Sequence, residues 1–279
     1  MRIDSHHHFW NYDASEYAWI NDSMGVLKRD FGPTELASLC AATGVQGVVS
    51  VQASQSLLET KRLIHYAETE PLVQGVVGWV PLASRGVGMD LESLAMSPWL
   101  KGVRHVVQDE SDPEFLMGEA FNEGIRRLRE FKLSYDLLIY PWQLPATIKF
   151  VDMHPEQLFV LDHIAKPAID SAQYDFKWET NIRELAKREH VIACKFSGIV
   201  TEVRDAQWSV DLLRPYWKVA LEAFGPSRLM FGSDWPVILL RTEYARWVEA
   251  VVELAHELSA VEQLAFWSGN AQRAYRLSE

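Results

Sequence analysis

The 279-residue chain is 48% hydrophobic and 23% charged, with a formal net charge of −11. The acidic excess excludes a basic nucleic-acid-binding surface, and no apolar run approaches the ~18 residues that a membrane span requires. Length and apolar content suit one large core, and α/β barrels of about 250 residues form single domains; residues 1–279 are therefore expected to be one domain.

The chain opens on an expected strand, residues 2–9. There His6, His7 and His8 stand between Arg2-Ile3-Asp4-Ser5 and Phe9-Trp10 without Gly or Ser padding, so the run belongs to the fold and is not a tag. A helix over 34–44 stops on Gly44. Strand 45–53, helix 56–70 and strand 73–80 follow, then a stretch of unclear pattern over 84–97. Strand 100–107, helix 114–131 and strand 133–140 lead to a second unclear stretch, 142–154. Strand 157–164, helix 177–190, strand 191–199, helix 208–225 (interrupted by Pro215) and strand 228–237 complete the alternation. A helix over 242–258 places Tyr244, Trp247, Val248, Val251 and Ala255 on one face, and Ser259 with Glu262 forms a capping box for a final helix. Eight strands alternating with helices predict the α/β class and a single (β/α)8 TIM barrel. The alternative, a doubly wound open sheet, lacks a GxGxxG or P-loop after an early strand. Cys40 and Cys194 form no CxxC pair and are expected to be buried, reduced thiols. The N-terminal residues have no basic stretch followed by an apolar one, so a cytoplasmic location is expected.

In such a barrel the active site lies at the C-terminal ends of the strands. Polar residues at these ends are His6–His8, then Arg104 and His105, then Tyr140 and Gln143. They continue with Asp162, His163 and Lys166, with Ser197, Thr201 and Glu202, and with Ser233 and Asp234. Residues two apart on a strand share a face, so His6 and His8 project together and His7 points away. With His163 and Asp234 they make a set of imidazoles and a carboxylate suited to zinc or a similar divalent ion. Asp4 is expected to be a structural carboxylate at the barrel base, and Asp162, next to His163, to face the helix layer. His65, His154, His190 and His256 are expected at the surface or in packing, whereas Trp10, Trp142 and Trp235 follow strand ends and are expected to wall a small pocket.

The stretches IDSHHHFW, GVRHVVQDE, LDHIAKP, KFSGIVTE and FGSDWP, in this order, resemble the amidohydrolase-related branch of the amidohydrolase superfamily. Within it the chain is most similar to sugar-lactone hydrolases of the L-fuconolactonase and L-rhamnonolactonase type. Pyrone-dicarboxylate lactonases are more distant. The resemblance runs from residue 2 to the GNAQRAYRL end. It implies a (β/α)8 barrel, a site containing His6, His8, His163 and Asp234, and attack of water on an ester or amide carbonyl. The sequence departs from metal-binding members at strand 5, which ends on Tyr140 rather than a His, and no Lys or Glu stands ready to bridge two ions. A binuclear centre is not expected. A single zinc or manganese held by His6, His8, Asp234 and His163 and metal-free hydrolysis both stay open.

The expected reaction is the opening of a small sugar lactone such as L-fucono- or L-rhamnonolactone. Asp234 would act as general base, with His163, His6 and His8 polarising the carbonyl. Arg104, His105, Tyr140, Gln143 and Trp235 would bind substrate; the plainer reading of Arg104 is a salt bridge to Asp109 or Glu110. Rival readings are another carboxylic-ester or pyrone-lactone hydrolase, a zinc-dependent aromatic-acid decarboxylase of the same branch, and a barrel that only binds a sugar acid or a metal. The expected partner is a small molecule, without nucleic acid or membrane; self-association into a homo-oligomer is compatible with the sequence.

Overall fold

Several strand segments are apolar nearly throughout because helices cover one face and the barrel interior the other. The computed structural model describes residues 1–277. Its strands are β1 (Ile3–His7), β2 (Gly47–Val51), β3 (Val73–Gly78), β4 (Leu100–His105), β5 (Ser134–Leu137), β6 (Phe159–Leu161), β7 (Val191–Phe196) and β8 (Leu229–Phe231), paired in parallel in that order. The seam between β8 and β1 closes at the mouth: Asp234 N–H donates to His6 O and His8 N–H to Trp235 O, both at 2.7 Å. The fold is a (β/α)8 barrel, as the alternation predicted.

The helices are α1 (Pro33–Thr43), α2 (Leu57–Thr69), α3 (Val87–Leu94), α4 (Glu119–Leu128), α5 (Leu144–Asp152), α6 (Phe176–Leu185), α7 (Val210–Phe224) and α8 (Tyr244–Ala255). The stretches of unclear pattern thus hold α3 and α5. The 114–131 segment divides at Gly118 into a 3-10 turn and α4, and α7 continues through Pro215. Ser259 and Glu262 cap α9 (Ala260–Leu264) reciprocally, as expected, and the chain ends in α10 (Asn270–Tyr275). Among the described residues no helix is long and apolar enough to cross a membrane.

Two apolar layers hold the barrel. The outer one joins sheet to helices and includes Trp178, Trp217 and Trp247, all fully buried. The inner one fills the lower barrel with Ile3, Val49, Val77, Val160, Ala193 and Met230, and α10 closes it from beneath with Ala271, Ala274 and Tyr275. Each fully buried large apolar side chain contributes about 1.5–3 kcal/mol. The bottom is thus sealed, and polar groups collect at the top. Both cysteines are buried and unpaired.

Candidate active site

Three local features bring the polar groups together. The register of β1 against β2 shifts between Asp4 and His7, a bulge that lets both Ile3 and His6 face inward. His7 turns outward to Ser50 Oγ (2.9 Å), while the rings of His6 and His8 meet inside, 5.0 Å apart. After β6 the chain makes a left-handed turn: His163, Ile164, Ala165 and Lys166 have φ of 52°, 47°, 60° and 50°. This turn redirects His163 into the mouth. After β7, Gly198 (φ +66°) is placed so that a Cβ would lie 2.7 Å from both Asp234 Oδ2 and His163 Nδ1. Only glycine fits there, by conformation and by space.

Asp234 Oδ1 lies 3.2 Å from His8 Nε2, 3.7 Å from His6 Nε2 and 3.9 Å from His163 Nε2. His8 Nδ1 donates to the Val51 carbonyl at 2.8 Å. His163 Nδ1 is 2.8 Å from Ser197 Oγ. Burial raises the Asp234 pKa, but His163, His8 and Lys166 outweigh it and leave it below the usual carboxylate value. Burial lowers His163 to about 4, so at neutral pH a carboxylate faces a neutral imidazole. His6 is held well below the ordinary imidazole value by burial, against the pull of Asp162.

Beneath this layer lies a buried charge network. Lys195 Nζ contacts Asp136 Oδ2 (2.6 Å), Asp162 Oδ1 (2.8 Å) and His6 Nδ1 (3.1 Å). Arg104 Nη1 contacts Asp162 Oδ2 (3.0 Å) and His6 Nε2 (3.3 Å). Tyr275 from α10 donates to Asp136 Oδ2 at 2.6 Å. Two cations and two carboxylates balance, which makes their burial tolerable. Asp162 therefore faces the barrel, not the helix layer: Val160, in the inner layer, and Asp162 share a parity, and His163 escapes the alternation through the left-handed turn.

The chamber above, about 340 Å³, is lined by His8, Trp19, Arg104, Tyr140, His163, Lys166, Glu202 and Asp234 among others. His6 lies below its floor. Of the other expected binding groups, three stand back. His105 faces outward, stacks on Phe115 and pairs with Glu110 (2.6 Å), because its neighbour Arg104 takes the inward face. Gln143 folds back to hold Tyr140 N–H and Val107 O. Trp235 is fully buried against Phe9 and Phe31. Trp10 is fully buried, so Trp19 supplies an indole in its place, while Trp142 lines an outer cavity instead. Arg104 pairs with Asp162 rather than Asp109 or Glu110. Asp4 buttresses the seam, accepting from Ser233 N–H (2.8 Å) and Tyr244 Oη–H (3.1 Å). His65 and His256 are exposed, and His154 and His190 are packing residues that hydrogen-bond outside the site. Lys195 and Asp136 escaped the sequence reading, although a charge inside an otherwise apolar strand was the available signal.

The family profile described as Amidohydrolase matches residues 3–277. The chain belongs to the amidohydrolase family. This amidohydrolase is 39% identical to an L-fucono-1,5-lactonase of Burkholderia multivorans, over 100% of the chain and 97% of that protein. It is 35% identical to an L-fucono-1,5-lactonase of Burkholderia ambifaria, covering 99% and 96%. A crystal structure of an amidohydrolase from Burkholderia multivorans with bound zinc superposes with a TM-score of 0.93 at 40% identity, covering 100% of both chains.

The amidohydrolase site fits one divalent ion. Ligand atoms of His6, His163 and Asp234 all lie within 4.8 Å of one another. Bonds of ~2.0–2.1 Å at tetrahedral angles separate ligands by about 3.3 Å, close to the His8–Asp234 spacing of 3.2 Å. Because a carbonyl only accepts, His8 Nδ1 carries a hydrogen toward Val51, and its Nε2 faces a carboxylate oxygen of Asp234 at 3.2 Å. A proton or a metal ion belongs between them. Against this, His6 Nε2 is already engaged by Arg104.

Proposed function

We propose that this protein opens a small sugar lactone by hydrolysis, with L-fucono-1,5-lactone the first candidate. The observation that carries the reading is one carboxylate, Asp234, set among three imidazoles at the floor of a chamber, in a chain that aligns end to end with two L-fucono-1,5-lactonases. Asp234 takes a proton from water as its oxygen adds to the carbonyl carbon. The ring C–O bond then breaks and Asp234 returns the proton to the departing ring oxygen. His163, whose Nδ1 faces Ser197 Oγ, donates from Nε2 to the carbonyl oxygen and polarises it, and His8 holds Asp234 in place. His6, clamped by Lys195 and Arg104, is a positioning group in this scheme. Arg104 at the end of β4 and Tyr140 just after β5 line the chamber as substrate-binding residues.

The donor set of His8, His163, Asp234 and His6 suits a single zinc or manganese ion, which when bound would acidify water and polarise the carbonyl. The test is proton release from L-fucono-, L-rhamnono-, L-galactono- and D-arabinono-lactone, before and after exhaustive chelation. Turnover of at least one is expected; none, with or without added zinc or manganese, refutes the reading. Loss on chelation with recovery on re-addition assigns the ion, and unchanged turnover assigns metal-free hydrolysis.

A further inference from the structure

Resting on the lactonase reading, we propose that Lys166 is a substrate- and product-binding residue, holding the carboxylate of the opened acid on its way out of the chamber.

Four consecutive non-glycine residues in the left-handed region, one of them the β-branched Ile164, are costly for L-amino acids. Backbone in such conformations persists where surroundings over-determine it and gathers at functional sites. The turn is closed by Ala165 N–H to Asp162 O (2.9 Å) and Lys166 N–H to His163 O (2.8 Å). In a three-residue turn, side chains three apart lie on one side. The turn therefore puts His163 and Lys166 side by side, and both line the chamber.

Lys166 is also the chamber cation with more of its donors free. Arg104 spends Nη1 on Asp162 and His6 and Nη2 on the Gln52 carbonyl, which leaves only its buried Nε unpaired. The Lys166 ammonium has Glu202 Oε1 at 3.8 Å, beyond hydrogen-bond length, and the Tyr140 ring at 5.5 Å. Lactone opening converts a neutral ester into an anion beside Asp234, Glu202 and Asp109, which all line the same chamber. A carboxylate formed there needs a cation. Lys166, Tyr140 and Glu202 also line the neighbouring outer cavity of about 600 Å³, where Arg204 and Lys177 add two positive charges against the one negative charge of Asp175. Lys166 thus stands at the wall between reaction and exit, with Glu202 its counter-ion when no acid is bound.

The test is calorimetric binding of L-fuconate, with the neutral polyol L-fucitol as control, to wild type, Lys166→Met, Lys166→Arg and Glu202→Gln. Lys166→Met should weaken L-fuconate binding about tenfold or more and leave L-fucitol binding unchanged. Lys166→Arg should restore most of the affinity. Glu202→Gln, which removes the competing carboxylate, should tighten it. Equal L-fuconate affinity in wild type and Lys166→Met overturns the proposal, as does an equal loss for L-fucitol or a wild type that prefers neither ligand. Lactone turnover is scored separately. A wild type that turns over no lactone fails the functional reading, whereas an active enzyme whose acid binding ignores Lys166 fails this inference alone.

Discussion

His8 and Asp234 face each other at 3.2 Å, and His8 reaches that position with its other nitrogen bound to the Val51 carbonyl at 2.8 Å. The carbonyl fixes the ring so that its free nitrogen is aimed at the carboxylate. Replacing Asp234 by Asn keeps the shape and removes the base. Asp234→Asn should lower kcat by about 10²–10⁴-fold with an unchanged circular dichroism spectrum. Residual activity within a few-fold of wild type would remove Asp234 from that role.

Gly198 separates Asp234 from His163. A methyl group there would stand 2.7 Å from each, on a backbone with φ +66°. Gly198→Ala should cost about 1–2 kcal/mol through the backbone and lose turnover far beyond what that destabilisation explains. Thermal melting and kcat on the same preparation separate the two effects.

Lys195 neutralises Asp136 and Asp162, all three fully buried. Lys195→Met leaves two carboxylates facing Arg104 alone, and breaking a buried pair typically costs about 3–5 kcal/mol. Tm should fall by roughly 10 °C. The double variant Lys195→Met with Asp136→Asn should recover part of that loss.

His154 sits outside the site, 2.6 Å from Asn122 Oδ1, and burial, with Arg126 adding to it, lowers its pKa from 6.5 to about 4. Between these values the unfolded chain binds the proton and the folded one does not. Its contribution is thus present above pH 6.5 and is lost as pH falls toward about 4. Melting temperatures across this window should fall with acid, and His154→Gln should flatten the fall. An equally steep fall in the variant would exclude His154 as a contributor.

Much of the barrel was legible because several strands are short apolar runs closed by polar residues, and a sheet covered on both faces favours such runs. The pairing of His6 with His8 followed from strand parity. The same parity would have separated Arg104 from His105, because adjacent residues cannot both face inward. Asp162 was misplaced for a different reason. His163 faces the mouth through a left-handed turn, and the sequence HIAK carries no glycine to announce one. The partnership of Lys195 with Asp136 joins strands whose spacing in sequence says nothing about their meeting. Trp235 follows a strand end yet is sealed beneath the loops, since its indole packs on Phe9 and Phe31 from other segments.

The most direct test of the account is the initial rate of L-fucono-1,5-lactone hydrolysis by wild type and Asp234→Asn, followed side by side by proton release. The account predicts rapid turnover by the wild type and loss of nearly all of it in the variant. A wild type no faster than the uncatalysed reaction, or a variant as fast as wild type, would contradict it.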